Sequence, residues 1–117
     1  MAVVVPTSVT IGAGVTKYTW ASLANGDTGT PLAMPASADM TVQLLGTFGV
    51  GGSCRIEGSN DGGTTYATLD EADGNALNLT AAAIELVREN PELIRPNITA
   101  GDGATALTVI LVAKRTT

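Results

Sequence analysis

Apolar and polar residues alternate over several short runs of the chain, the pattern of a half-buried β-strand. From Met40 to Phe48, Val42, Leu44, Gly46 and Phe48 fall on one face, and Thr41, Gln43, Leu45 and Thr47 on the other. From Ser53 to Gly58, Cys54 and Ile56 point inward and Arg55 and Glu57 outward. With Gly49-Val50-Gly51-Gly52 as the turn between them, these two runs predict a hairpin. Lys17 to Ala21, Thr64 to Leu69 around Tyr66, and Ala76 to Thr80 read as further strands. Leu93 to Thr99 places Ile94, Pro96 and Ile98 on one face, and Pro96 predicts an edge or a bulge.

The run from Ala106 to Ala113 departs from simple alternation. Leu107, Val109 and Leu111 share one face, but Ile110 and Val112 make the other face apolar too. A one-sided antiparallel strand keeps polar residues outside. This strand is therefore either covered on both sides within the domain or covered outside by another subunit. Ala81 to Asn90 fits a helix by propensity and a strand by the alternation of Ile84, Glu85 and Leu86. A short strand or turn is the reading taken, ended by Pro91.

Turn chemistry separates the runs. Asn25-Gly26-Asp27, Ser59 to Gly63, Asp70 to Asn75 and Gly101-Asp102-Gly103 are turns, and Thr30 to Ala38, with Pro31 and Pro35, is an edge segment or loop. Residues 1–14 read as an extended N-terminal arm, since Pro6 and Gly12-Ala13-Gly14 oppose a helix. Residues 15–117 then form the domain. The sum is a single all-β antiparallel sandwich, Ig-like or jelly-roll-like, of about seven to nine short strands.

Composition narrows the partners. The 117 residues carry 15% charged side chains and a net charge of −5, against about 25% charged in an ordinary domain. The six cations, Lys17, Arg55, Arg88, Arg95, Lys114 and Arg115, are dispersed. No basic patch for nucleic acid is readable, and an anionic membrane is disfavoured. A neutral surface of this kind suits an assembly subunit. No stretch has the length of a signal peptide or a membrane span, so synthesis in a reducing cytoplasm is expected.

Reactive constellations are missing from the sequence. It contains no histidine, which removes Ser-His-Asp and Cys-His catalysis and the usual zinc ligands. Cys54, the lone cysteine, reads as a buried small hydrophobe. Asp70-Glu71-Ala72-Asp73-Gly74-Asn75 superficially resembles a calcium loop but has Ala72 at the third position and Ala81 at the twelfth. No enzyme activity, metal or cofactor is expected.

Four segments together carry a resemblance. They are Val42-Gln43-Leu44-Leu45-Gly46-Thr47-Phe48-Gly49, Ile56 to Tyr66 with its Gly58-Ser59-Asn60-Asp61-Gly62 turn, Gly74-Asn75-Ala76-Leu77, and Ile94 to Gly103. In order and spacing they resemble the head-decoration, or capsid cement, proteins of tailed bacteriophages, from about Lys17 to Val112. The Gly-Ser-Asn-Asp-Gly turn alone recurs in other phage β-sandwiches. The resemblance implies a non-enzymatic homotrimer on the capsid exterior, with the major capsid protein as partner, bracing capsomer junctions. The expected contacts are Val3, Val4, Val5 and Pro6 within an arm from Met1 to Thr7, and Ile110 and Val112 on the last strand. Two alternatives stand beside it: a tail or baseplate accessory domain, and a carbohydrate-binding module, which an exposed Trp20 and Tyr18 would favour.

Overall fold

A computed structural model of the chain describes residues 1–33 and 39–115, and those residues hold twelve strands and no helix. In chain order the strands are β1 (Val3–Val4), β2 (Thr7–Gly12), β3 (Val15–Leu23), β4 (Thr28–Gly29), β5 (Leu32–Ala33) and β6 (Asp39–Thr47). There follow β7 (Ser53–Ser59), β8 (Ala67–Thr68), β9 (Asn78–Leu79), β10 (Ala83–Val87), β11 (Leu93–Ala100) and β12 (Ala106–Lys114). Seven of them have five residues or more and the other five have two each, so the excess over the expected number lies in the shortest pieces. The Pro35 part of the segment from Thr30 to Ala38 lies outside the described residues.

The strands form two layers. One is a five-stranded antiparallel sheet in the order β10-β6-β12-β3-β2. The other follows β1-β4-β11-β7-β8, with β5 also on β11 and β9 on β7, and β1 joins β4 in parallel. The core between them takes Trp20, Leu23, Met40, Val42, Leu44, Leu107, Val109 and Leu111 from the first sheet. Cys54, Ile56, Ile94 and Ile98 come from the second. Each large aliphatic side chain buried there contributes about 1.5–3 kcal/mol. The period-two pattern thus puts the residues read as inward on β6, β7, β11 and β12 into one core, apart from the exposed Gly46, with Phe48 just past β6 packed partly buried against it, and the chain is an all-β sandwich.

Four readings are corrected. The runs around β6 and β7 do not form a hairpin, because β6 pairs with β10 and β12 while β7 pairs with β11, β8 and β9. Both strands present apolar faces to the same core, so they meet across it in opposite layers instead of side by side. The glycine-rich turn spans the layers, with φ of +70° at Gly49 and +72° at Gly51, a region glycine enters without strain. Asp102 accepts the Val50 amide at 2.9 Å, and the Thr105 hydroxyl donates to the Phe48 carbonyl at 2.7 Å, which ties this crossover to the 101–105 turn.

Pro96 is not on an edge strand. β11 is flanked by β7 and by β4 and β5. On the second flank β5 pairs with Leu93 and Ile94 and β4 with Asn97, so Pro96 falls at the break between two short partners, where no ladder bond is asked of it. Glu57 faces outward as expected yet is buried, because Arg95 and Asn97 close over it. The strand expected from Thr64 to Leu69 contracts to Ala67–Thr68. The segment from Ala81 to Asn90 contains the strand β10.

Candidate interaction surfaces

The outer face of the five-stranded sheet is built from the residues that alternate with the core. Registers β10–β6, β6–β12 and β12–β3 align Ile84, Gln43, Ile110 and Thr19 in one row, and Leu86, Thr41, Val112 and Lys17 in the next. Thr7 and Val9 extend these rows onto β2. Ile84 is 63% exposed, Val9 52% and Leu86 44%, while Ile110 and Val112 are half-buried among their neighbours. Lys17 is the charge in the middle of the face, with Asp39 and Lys114 paired at the strand ends. Ile110 and Val112 thus lie where the last strand's pattern placed them. They sit at the centre of a sheet whose outer surface nothing among the described residues covers with a further layer.

The first fourteen residues divide into two parts. Val3 and Val4 pair with Thr28 and Gly29, the Ala2 amide donates to Asp27 Oδ1 at 2.8 Å, and the Thr30 amide donates to the Val4 carbonyl at 2.8 Å. The buried Asp27 also accepts the Ala24 amide at 2.9 Å, so one carboxylate pins the chain start to a turn. Val4 packs on the core, Val5 is exposed, and Pro6 is half-buried before the chain crosses to the other sheet. β2 then runs along β3 with all six of its residues exposed. Val3–Pro6 and the Ile110–Val112 pair are therefore on different sheets.

The outer face of the seven-stranded sheet is polar and internally bonded. Arg95 Nη2 meets Glu57 Oε1 at 3.1 Å, Arg95 Nε donates to the same oxygen at 3.1 Å, and Asn97 Nδ2 donates to Oε2 at 3.2 Å. The Arg95 guanidinium lies 3.6 Å from the centroid of the Tyr66 ring, a cation–π contact. Beside it, an open cleft of about 620 Å³ is lined by residues including Ser59, Asn60, Asp61, Tyr66, Glu89 and Pro91. Several of its polar groups are already engaged. Asp61 accepts from the Ser59 hydroxyl and the Thr65 amide, first of the causes that pull its pKa down to about 2. Asn60 accepts the Glu92 amide, and Glu89 accepts the Asp70 amide.

The remaining candidates resolve simply. Cys54 is fully buried in β7, and desolvation pushes its thiol up to about 12, the opposite of an activated nucleophile. Trp20 is 1% exposed and its indole N–H donates to the Thr30 carbonyl at 3.2 Å, so it offers no ring for a sugar to stack on. Tyr18 is half-buried against the core. Among the described residues, no three Cys, Asp or Glu side chains gather as a metal site. Sequence reasoning placed Leu45 on the outer face with Thr41, Gln43 and Thr47, but missed Val9, Ile11, Ile84 and Leu86 as surface residues. The uncharged run Thr7 to Gly12 and the Ile84-Glu85-Leu86 alternation were the signals available.

The architecture defines the class: a two-layer β-sandwich of a single chain. No family model matches the sequence, and no curated protein is similar to it. Among solved structures, the fold is similar to the SPBc2 prophage-derived protein YomS, with a TM-score of 0.64 at 11% identity over 92% of this chain and 97% of that one. It is also similar to Peruvianin-I, a cysteine peptidase from Thevetia peruviana latex, with a TM-score of 0.54 at 17% identity over 94% of this chain and 60% of that one. Oxalate oxidase in complex with a substrate analogue, glycolate, gives 0.50 at 16% identity over 88% of this chain and 43% of that one. At these identities the likeness is one of fold.

Proposed function

We propose that this chain is a structural protein of a tailed-phage virion, a non-enzymatic capsid decoration protein that acts as a homo-oligomer, a trimer by its resemblance to cement proteins. The observation that carries the reading is the neutral outer face of the five-stranded sheet, centred on Ile110 and Val112. Five strands of five to nine residues, at about 3.4 Å per residue and about 4.8 Å spacing, give a face on the order of 600 Å². That approaches the roughly 800 Å² that each partner buries in a specific interface. A surface of that size with one central cation is better served by association than by water. The fold shared with a prophage-derived protein supports the phage setting, as do the four sequence segments that resemble capsid cement proteins.

Cement action needs no reactive group. Each copy buries area across a junction between capsomers, and many copies held on one lattice add their weak contacts through high effective concentration. The test is co-sedimentation of the purified protein with undecorated capsids, together with its molar mass in solution. Saturable binding is expected, lost in Ile110→Asp because a charge would be buried without a partner. A wild-type protein that stays monomeric and fails to sediment with capsids overturns the reading.

A further inference from the structure

The edges of the two sheets are not alike. β10, one edge of the five-stranded sheet, carries Glu85 and has the acidic turn beside it, where the Arg88 amide donates to the Asp70 carbonyl at 2.9 Å. The outer strands β1, β8 and β9 of the other sheet have two residues each. Short length, covering and charge are the devices by which natural sheets blunt their edges. β2 has none of them. Thr7-Ser8-Val9-Thr10-Ile11-Gly12 is six residues long, carries no charge and no proline, and is exposed throughout. Its one irregularity, between Thr10 and Gly12, lies in the pairing with β3. On its other side no strand among the described residues pairs with it.

We propose that β2 is a self-association edge, pairing antiparallel with β2 of a second copy. This contact is additional to the one through Ile110 and Val112 and does not rest on capsid binding. The strand's own chemistry selects the occupant. A neutral, β-branched strand has nothing to offer a charged partner, whereas a second copy supplies the same neutral residues and the same unpaired amides and carbonyls. Two identical strands related by a two-fold axis pair antiparallel, so that each contact is made twice.

The sheet faces restrict the register. Thr7 and Val9 lie on the outer face, and Ser8 and Thr10 on the face toward the core layer. A one-residue slip would turn one copy's outer residues to the other side. Of the registers that preserve the faces, the one centred on Val9 pairs Thr7 through Ile11 and leaves out Gly12, beyond the irregularity; it sets Val9 opposite Val9 of the second copy, and Ser8 opposite Thr10. The two five-stranded sheets then run into one ten-stranded sheet, with the neutral outer face continuous across the axis. A six-residue strand is about 20 Å long, so this contact is far smaller than a standard interface and weak between free molecules. Between free copies it is a transient contact that covalent trapping collects, and it gains strength wherever copies are held side by side.

Disulfide trapping in the full chain tests this. Directly opposed residues have Cα atoms about 4.5–5.5 Å apart, within the range a disulfide spans. The native Cys54 is buried and does not compete. Val9→Cys is expected to form covalent dimers under mild oxidation about tenfold faster than Val50→Cys, an equally simple change at a more exposed turn position. An equimolar mixture of Ser8→Cys and Thr10→Cys should give the mixed dimer in preference to either homodimer. Val9→Cys in an Ile110→Asp background should still cross-link, which separates this edge from the face contact. Equal rates for Val9→Cys and Val50→Cys, or no preference for the mixed dimer, would overturn the proposal.

Discussion

The two outer faces of the sandwich treat their polar groups in opposite ways. On the seven-stranded sheet, Glu57, Arg95, Asn97 and Tyr66 bond to one another, and the Ser59–Thr65 turn closes on Asp61. That face is satisfied as it stands. On the five-stranded sheet, Ile84, Leu86, Ile110 and Val112 stand among threonines and one glutamine, with Lys17 as the central charge. Nothing on that face bonds across it, and much of its apolar surface meets water. One face is finished by its own residues and the other is left open to water, although both back onto the same core.

The largest expected effect separates the two sides of a single strand. Leu111 is fully buried, and Ile110 next to it points outward. Leu111→Ala should lower stability by about 2–5 kcal/mol in urea unfolding, through lost transfer energy and a residual cavity. Ile110→Asp should cost about 1 kcal/mol or less, the span of strand propensity, while abolishing association through that face. Equal losses would mean that the outer face is covered within the monomer, and the comparison would fail.

A smaller effect belongs to the polar face. Glu57→Ala strands a partly buried guanidinium and an amide, and should cost about 1–3 kcal/mol. Glu57→Gln keeps an acceptor and should recover part of that loss. Lys17→Ala on the opposite face should stay within about 0.5 kcal/mol, as surface changes do. Chemical denaturation of the three variants side by side checks the contrast.

Much of this asymmetry was legible in the sequence, and what was not has a physical cause. The doubled apolar pattern of Ala106 to Ala113 marked both the core side and the outer side of β12, because side-chain direction in a strand is fixed by period two. The pairing of β6 and β7 was not legible. A glycine-rich turn signals a reversal of the chain, but whether the returning strand joins the same sheet or the opposite one depends on strands far away in sequence, here β11 and β12. The bonded network under Tyr66 was hidden for the same reason, since Glu57 and Arg95 are 38 residues apart. The open edge of β2 was hidden because a sequence run shows that it is uncharged without showing which of its sides is paired.

The smallest expected effect sharpens the comparison by pH. Asp61 is held down to about 2 from an ordinary 3.8 by the Thr65 amide and the Ser59 hydroxyl, and Asp102 is lowered by the Val50 and Ala104 amides. A carboxyl whose folded pKa is depressed favours the native state above its unfolded value, and that contribution disappears as pH falls through the folded one. For Asp61 the window runs from about 3.8 down to about 2. Asp61 is exposed and Asp102 only half-buried, so the loss is modest and reduced further by salt. It should loosen the Ser59–Thr65 and 101–105 turns before the sheets part. Hydrogen exchange across this window should therefore show the Thr65 and Ala104 amides losing protection first, with the β12 amides unchanged. Asp61→Asn should remove the pH response at Thr65 and leave that at Ala104. The half-buried centre of the other outer face, at Ile110 and Val112, has no carboxylate and should show no response over the same range. A simultaneous loss of β12 protection would mean that the two faces are coupled through the core, and that the polar network stabilises both sheets.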